Sequence, residues 1–186
     1  MQNQLLMASL AKDKAQIIQQ NKILTGGQTI SLRSRQLVYV MASCIDQDNP
    51  HAEIAINAKD FLAFINNNSK RKWRDVYTTT SDIFKELNDN PILLKKPRGR
   101  DFLKINWLSS LGVSQGMIRG RFSADITEYF IYKKGLPYTK LLWDLRGYKS
   151  SFTVRILDLF QRYHIKEHGQ DEIEFEYDLE ELKLFF

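Results

Sequence analysis

Residues 69–104 read SKRKWRDVYTTTSDIFKELNDNPILLKKPRGRDFLK, and the fold turns on this stretch. Trp73, Val76, Tyr77, Ile83, Phe84 and Leu87, with Thr80 filling the gap, follow the i, i+3, i+4, i+7 spacing of one helical face. Ser69 is the expected N-cap. The opposite face carries Arg71, Arg74, Thr78, Ser81 and Lys85. Cations interleaved with short hydrogen-bonding side chains are the chemistry that meets phosphates and base edges. Asn90-Pro91 ends the helix. Lys95-Lys96-Pro97-Arg98-Gly99-Arg100 then joins two strand-like segments, 92–94 and 102–105. A basic loop joining two strands directly after such a helix predicts a winged helix. The competing reading of either feature alone is a solvated charged face.

Working back towards the N-terminus, Asn66-Asn67-Asn68 is the turn before this helix. Asn57 caps a preceding helix with Phe61, Leu62, Phe64 and Ile65 on its apolar side, and 53–56 is a short strand. Residues 57–87 thus fill the two roles of a helix-turn-helix, in which the second helix enters the groove and the first braces it. Ser31 caps a helix to about Ile45, with Leu37, Val38, Met41, Cys44 and Ile45 buried. Residues 46–50 form a loop, and 1–24 form a glutamine-rich arm with helical potential. Thr25-Gly26-Gly27 is a turn; no Gly-Lys-Ser/Thr follows that would make it a phosphate loop.

Forward of the basic loop, 102–110 and 117–122 read as two strands separated by a turn holding Gly112 and Gly116. Leu103, Ile105 and Trp107 alternate with Lys104 and Asn106, which predicts one apolar face and one that is solvated or pairs with a second subunit. Arg119 and Arg121 share a side of the last strand. Ser123 caps a short helix through Phe130, and Gly135-Leu136-Pro137 breaks the chain before Leu141-Leu142-Trp143. Ser150 or Ser151 starts a helix to about His164 with Phe152, Ile156, Leu159, Phe160 and Tyr163 buried. Residues 172–177 alternate like a strand, and Asp178 with Glu181 makes a capping box for a final helix ending on Phe185-Phe186.

The chain has 186 residues, a formal charge of +5 and 43% hydrophobic residues, enough to bury a core and compatible with a polyanionic partner. Basic residues concentrate before about residue 150, whereas 167–181 is dominated by acids, so one region is expected to face the polyanion. The single cysteine, Cys44, forms no intrachain disulfide and reads as a core filler. No apolar run approaches a membrane span, and Leu5-Leu6-Met7 precedes the first lysine, Lys12, the reverse of a signal peptide. A cytoplasmic location with no membrane partner is expected.

His164-Ile165-Lys166-Glu167-His168 matches the H-x-x-E-H zinc pattern. Gly169 follows at once, and few residues remain to supply a third ligand. Asp101 with Lys104, or Asp178 with Glu181 and Lys183, are spacings that a metal-dependent nuclease shares with ordinary surfaces. Neither constellation is completed. The expectation is a chain without catalysis, cofactor or metal.

One further signal comes from the ordered set Ile18-Gln19-Gln20-Asn21-Lys22-Ile23-Leu24, Leu32, Gln36-Leu37-Val38-Tyr39, Ile45-Asp46, Tyr138-Thr139-Lys140, Leu145-Arg146 and Ser150-Ser151-Phe152-Thr153-Val154-Arg155-Ile156-Leu157-Asp158-Leu159-Phe160. In these segments the chain resembles the Rep_3 family of replication initiators of iteron-containing bacterial plasmids. The resemblance implies binding of double-stranded DNA at directly repeated origin sites, autorepression as a homodimer, and recruitment of the host replication initiator and replicative helicase. It also implies two winged helices, the first for dimerisation and secondary DNA contacts and the second for the main base-reading helix. Ser34-Arg35 departs from the family, which commonly has an acidic residue there.

The expected fold is therefore α+β: a winged helix (helix-turn-helix plus β-hairpin wing), followed by the start of a second winged helix truncated at the C-terminus. The divisions are a helical arm at 1–24, the first winged helix at 25–147, and a linker helix with an incomplete second module at 148–186. The expected DNA contacts are Arg71, Arg74, Thr78, Ser81 and Lys85 along the groove and Lys95, Lys96, Arg98 and Arg100 on flanking phosphates, with Lys70, Lys72, Arg119 and Arg121 adding positive charge. Two other readings stay open: an interaction module with an incidental basic face, and a winged-helix transcriptional repressor.

Overall fold

The computed structural model describes residues 6–8, 16–20, 28–66, 73–95, 102–136, 138–142, 145 and 147–164; the side chains at 6–8, 16–18, 20, 66, 73–74, 95, 138–142 and 162–164 are not among those described. Helix α1, Leu32–Ala42, is the hub. Ser31 caps it by accepting from Ser34 N at 3.3 Å, and residues 34–42 are buried on every side. Strand β2 and helices α2 (Ala58–Asn66), α3 (Trp73–Asp89) and α5 (Ser151–His164) all pack on it. The expected continuation to Ile45 stops three residues early, where Ser43 Oγ and Cys44 Sγ donate to the Val40 carbonyl and help satisfy the terminal acceptors. Cys44 and Ile45 are half-buried against the core rather than within it.

The arm expected to be helical contains strands instead. β1, Leu6–Ala8, lies parallel to β3, Ile54–Asn57, and β2, Gln16–Gln20, pairs antiparallel with β8, Tyr138–Leu142, in register Gln16↔Leu142 to Gln20↔Tyr138. Local helical potential yields here to long-range pairing that supplies the backbone partners. Asn57 caps α2 as expected, its Oδ1 accepting from Lys59 N at 3.0 Å and Asp60 N at 3.3 Å. Phe61, Leu62 and Phe64 are buried beneath it.

The segment 102–110 is not one strand. β5, Phe102–Ile105, pairs with β4, Ile92–Lys95, in a separate two-stranded sheet, whereas β6, Leu108–Ser114, pairs with β7, Met117–Phe122. The chain switches sheets at Asn106 and Trp107. Buried Trp107 donates from Nε1 to the Asn90 carbonyl at 3.1 Å, fastening this switch to the end of α3. The larger sheet has the order β1-β3-β7-β6. The hairpin sharing a sheet with the strand before the helix-turn-helix is therefore β6–β7, and the basic-loop hairpin β4–β5 stands apart from it. Gly112 lies inside β6; the turn is Gln115-Gly116, with φ of 48° and 75°, the two positive angles of a tight hairpin loop. Gly120 of β7 crosses α1 so closely that an added Cβ would lie 2.9 Å from Met41 Cε and 2.9 Å from Leu111 Cδ1.

The helix capped by Ser123 is one turn, α4 (Ala124–Thr127), with turns continuing to Phe130, whose ring lies 5.1 Å from that of Phe122. α5 begins as expected, Ser150 Oγ accepting from Phe152 N. Its face is rotated, however: Val154, Arg155, Asp158 and Leu159 are buried, Ile156 is half-buried, and Phe152 (53%) and Phe160 (49%) are exposed. Leu103, expected on an apolar face with Ile105 and Trp107, is exposed while those two are buried. The expected strand at 172–177, the final capped helix and most of the H-x-x-E-H run lie outside the described residues; His164 ends α5.

Candidate nucleic-acid interface

The outer face of α3 is assembled by burying its other side. Val76, Thr79, Thr80, Ile83 and Leu87 are buried and Phe84 is half-buried, so Thr80 does bridge the apolar stripe as expected. Tyr77, expected beneath them, is 51% exposed. It stands one turn before Ser81 and two before Lys85, with Thr78 beside it, and all four face solvent. An aromatic at helical spacing reads as core from sequence. Tyr77 falls at the edge of the apolar arc, on the same i, i+4, i+8 row as Ser81 and Lys85, and that spacing is the sequence signal for its exposure. Arg74 occupies the first turn of α3, one turn before Thr78.

Glu86 fixes the orientation of this face. Its Oε1 accepts from Ser31 N at 2.5 Å, and its Oε2 from Ser31 Oγ at 2.7 Å and from Ser34 Oγ. A carboxylate at the amino end of α1 satisfies unpaired donors there and meets the positive end of the helix dipole. At the C-terminal end of α3, Asn90 Nδ2 returns to the Glu86 carbonyl at 2.9 Å. The C-terminal half of α3 is thereby held to α1.

Of the remaining expected contacts, Lys95 ends β4 and the loop 96–100 with Lys96, Arg98 and Arg100 lies outside the described residues, as do Lys70, Arg71 and Lys72. Arg119 is half-buried and ion-paired with Glu53 at 3.2 Å, so part of its charge is offset, whereas Arg121 is exposed. Thr78, Ser81 and Lys85 share one helix face; Arg119 and Arg121 sit on β7 in the other hairpin. On β4–β5 the register places Leu93 opposite Lys104 and Lys95 opposite Phe102, on the face away from buried Ile92 and Ile105. Phe102 is 63% exposed and Leu93 and Lys104 are also exposed.

A buried polar cluster joins α1 to α5, and the sequence did not reveal it. Tyr39 Oη donates to Asp158 Oδ2 at 2.6 Å, Arg35 Nη1 lies 3.7 Å from the same oxygen, and Arg35 Nη1 donates to Gln28 Oε1 at 3.2 Å. Burial pushes Asp158 up to about 6, outweighing Arg35, the Tyr39 hydrogen bond and Arg155, which all act downward. Burial, then Arg35, brings Arg155 down to about 9, and burial with the nearby Asp158 charge holds the Tyr39 phenol well above its ordinary value. These groups are internal, so they organise the site rather than contact a ligand on the α3 face. Among the described residues, no group of histidine, cysteine or acidic side chains is gathered to hold a metal, and no helix is long and apolar enough to cross a membrane.

A family model described as the WH1 domain of the initiator replication protein matches residues 16–161. The chain belongs to this family. The match runs from β2 to the last turn of α5, so the WH1 unit includes the β2–β8 pair and the α1–α5 seam. The fold is also that of the Pi initiator protein, solved in complex with iteron DNA, at a TM-score of 0.66 and 19% identity over 94% of this chain and 73% of that one. The WH1 domain of MSBI1.176, a replication protein isolated from a multiple sclerosis patient, matches 54% of this chain and covers 86% of that one, at 15% identity and a TM-score of 0.32, too low for a fold argument. No curated protein matches the chain.

Proposed function

We propose that this WH1 chain is the DNA-positioning and dimerisation part of a plasmid replication initiator, acting on double-stranded origin repeats in the bacterial cytoplasm without catalysis. The observation that carries the reading is the exposed row Tyr77, Ser81 and Lys85, with Thr78, on the second helix of a helix-turn-helix in a WH1 fold. Arg74 extends this row, and Tyr77 adds an aromatic ring for stacking or apolar contact to a sugar or base. The cations at 70–72, 95–100 and 121 serve flanking phosphates; Arg119 contributes less because Glu53 already engages it. Backbone contacts dominate, and a second winged-helix module following the linker helix α5 supplies most base reading and, with host initiator and helicase, completes origin opening.

The test is binding of duplex iteron repeats against scrambled duplex across a salt series. With about four to six phosphates neutralised, log K falls against log[salt] with a slope of roughly −4 to −5. A slope near zero would refute the interface. Replacing Tyr77 with Ala weakens binding; unchanged affinity removes Tyr77 from it.

Dimerisation is supported by one specific feature, the exposed Leu93 and Phe102 on the outward face of β4–β5. A short two-stranded sheet with apolar outward residues is suited to pair with a second copy, burying both its face and an edge. Sedimentation against concentration tests this: Phe102→Ser shifts the protein towards monomer, and an unchanged distribution assigns dimerisation elsewhere.

A further inference from the structure

The hairpin β6–β7 closes on a two-residue turn whose first residue suits it poorly. Gln115 has φ of 48°, a left-handed conformation that residues with a Cβ adopt at a cost. Tight turns of this kind favour Asn-Gly, so a glutamine here weakens the hairpin. Gln115 is exposed, and the turn that carries it is fixed in place, because the Gly116 carbonyl accepts from Ala58 N at 3.0 Å at the start of α2. The strained residue thus stands beside the first helix of the helix-turn-helix, while β6 packs against α3. One face of the hairpin is open. Register sets Ser110 opposite Arg121, Gly112 opposite Arg119 and Ser114 opposite Met117, on the side away from buried Ile118 and Phe122. Ser110, Gly112 and Ser114 are exposed, and a Cβ added at Gly112 would meet nothing within 4 Å. Residues 108–122 hold two arginines and no acid; Glu53 engages Arg119, and Arg121 is exposed.

We propose that β6–β7 is a wing whose Gln115 amide reads base edges in the minor groove, with Arg121 on a neighbouring phosphate; the assignment rests on the duplex binding stated under the proposed function. A carboxamide offers a donor and an acceptor together. The donor meets the acceptors that every base pair shows in the minor groove, and the acceptor meets the amino group that only G·C adds. Arginines alone would hold a phosphate without reading sequence. The small side chains on β6 let a sugar–phosphate strand come close to Arg121, and a hairpin without acids does not repel it. A conformation that costs stability persists where the surrounding fold imposes it, and such residues gather at ligand-contacting sites. Here the Gly116–Ala58 hydrogen bond fixes the turn, and the exposed amide is what the strain presents.

The full chain is bound at fixed salt to duplex iteron repeats and to the same repeats carrying inosine for guanine or 2,6-diaminopurine for adenine. These bases remove or add the minor-groove amino group and leave the major-groove edges unchanged. With at least one analogue, wild type is expected to lose about 3–10-fold in affinity, the worth of one hydrogen bond to a base edge. Gln115→Gly is expected to raise the unfolding midpoint by about 2–4 °C, to bind the natural repeat less tightly and to respond to neither analogue. Arg121→Ala weakens all three duplexes alike and keeps the analogue response. Equal responses in wild type and Gln115→Gly overturn the inference, since the analogues then act through DNA shape or another residue. So does an unchanged or lower midpoint in Gln115→Gly, because the glutamine is then a residue that the turn needs. A normal salt slope with no analogue response in wild type refutes the wing reading alone, whereas a slope near zero refutes duplex binding and the wing with it.

Discussion

The α1–α5 seam and the outer face of α3 carry similar kinds of residue and use them in opposite ways. Both present charged groups, hydroxyls and a tyrosine. On α3, Tyr77, Thr78, Ser81 and Lys85 are exposed, and water screens their charge. In the seam, Arg35, Tyr39, Arg155 and Asp158 are buried, so each depends on named neighbours. Polar chemistry is therefore a matter of stability in the seam and, under the proposed function, of recognition on α3, and substitutions should separate the two readouts.

The largest contrast is expected at Asp158. Asp158→Ala leaves two buried guanidiniums without their carboxylate and costs about 3–5 kcal/mol, read by denaturant unfolding in phosphate-free buffer. A loss below about 1 kcal/mol would mean that water reaches the seam. Tyr39→Phe removes the 2.6 Å donor to that carboxylate and costs about 1.5–3 kcal/mol. It also moves the Asp158 titration further upward, because the lost bond favoured the charged form.

Glu86→Ala tests the join between the two regions. Removing the carboxylate that caps α1 costs about 1–2 kcal/mol and loosens α3, so DNA affinity falls together with stability. If affinity is unchanged, the cap does not position the outer face.

A smaller effect is expected from pH. Asp158 has a folded pKa of about 6 against an ordinary 3.8, so the folded state holds its proton more tightly. Its contribution to stability is full below about 3.8 and is lost as pH rises through about 6. Between pH 5 and 7 that loss is roughly 1 kcal/mol, visible as the difference between wild type and Asp158→Asn. The smallest stability change belongs to the exposed face: Lys85→Ala alters stability by no more than about 0.5 kcal/mol while reducing the salt slope by roughly 0.9 if Lys85 contacts a phosphate.

The two regions also differ in how far the sequence exposes them. Periodicity identified α3, its stop at Asn90-Pro91 and the bridging role of Thr80, because each is a local consequence of 3.6-residue geometry. It misplaced Tyr77, since an aromatic at the edge of an apolar arc is assigned by what packs on it. Phe152 and Phe160 were misassigned for the same reason. The rotated face of α5 follows from Tyr39 and Arg35, more than a hundred residues upstream, which bury Asp158.

The order of helices, the caps at Ser31, Asn57, Ser123 and Ser150, and the winged-helix class were set by local residue chemistry, which acts within a few positions. Strand pairing was not, because partners such as Gln16–Gln20 and Tyr138–Leu142 are distant in sequence and their register comes from the assembled sheet. The helical potential of the N-terminal arm gave way to that pairing, and the supposed single strand at 102–110 divided where Trp107 found the end of α3. By itself the sequence determined where α1, α2, α3 and α5 begin and that basic and polar groups lie on α3. Only the tertiary structure decided which polar groups lose their water, because burial requires neighbours brought from elsewhere in the chain.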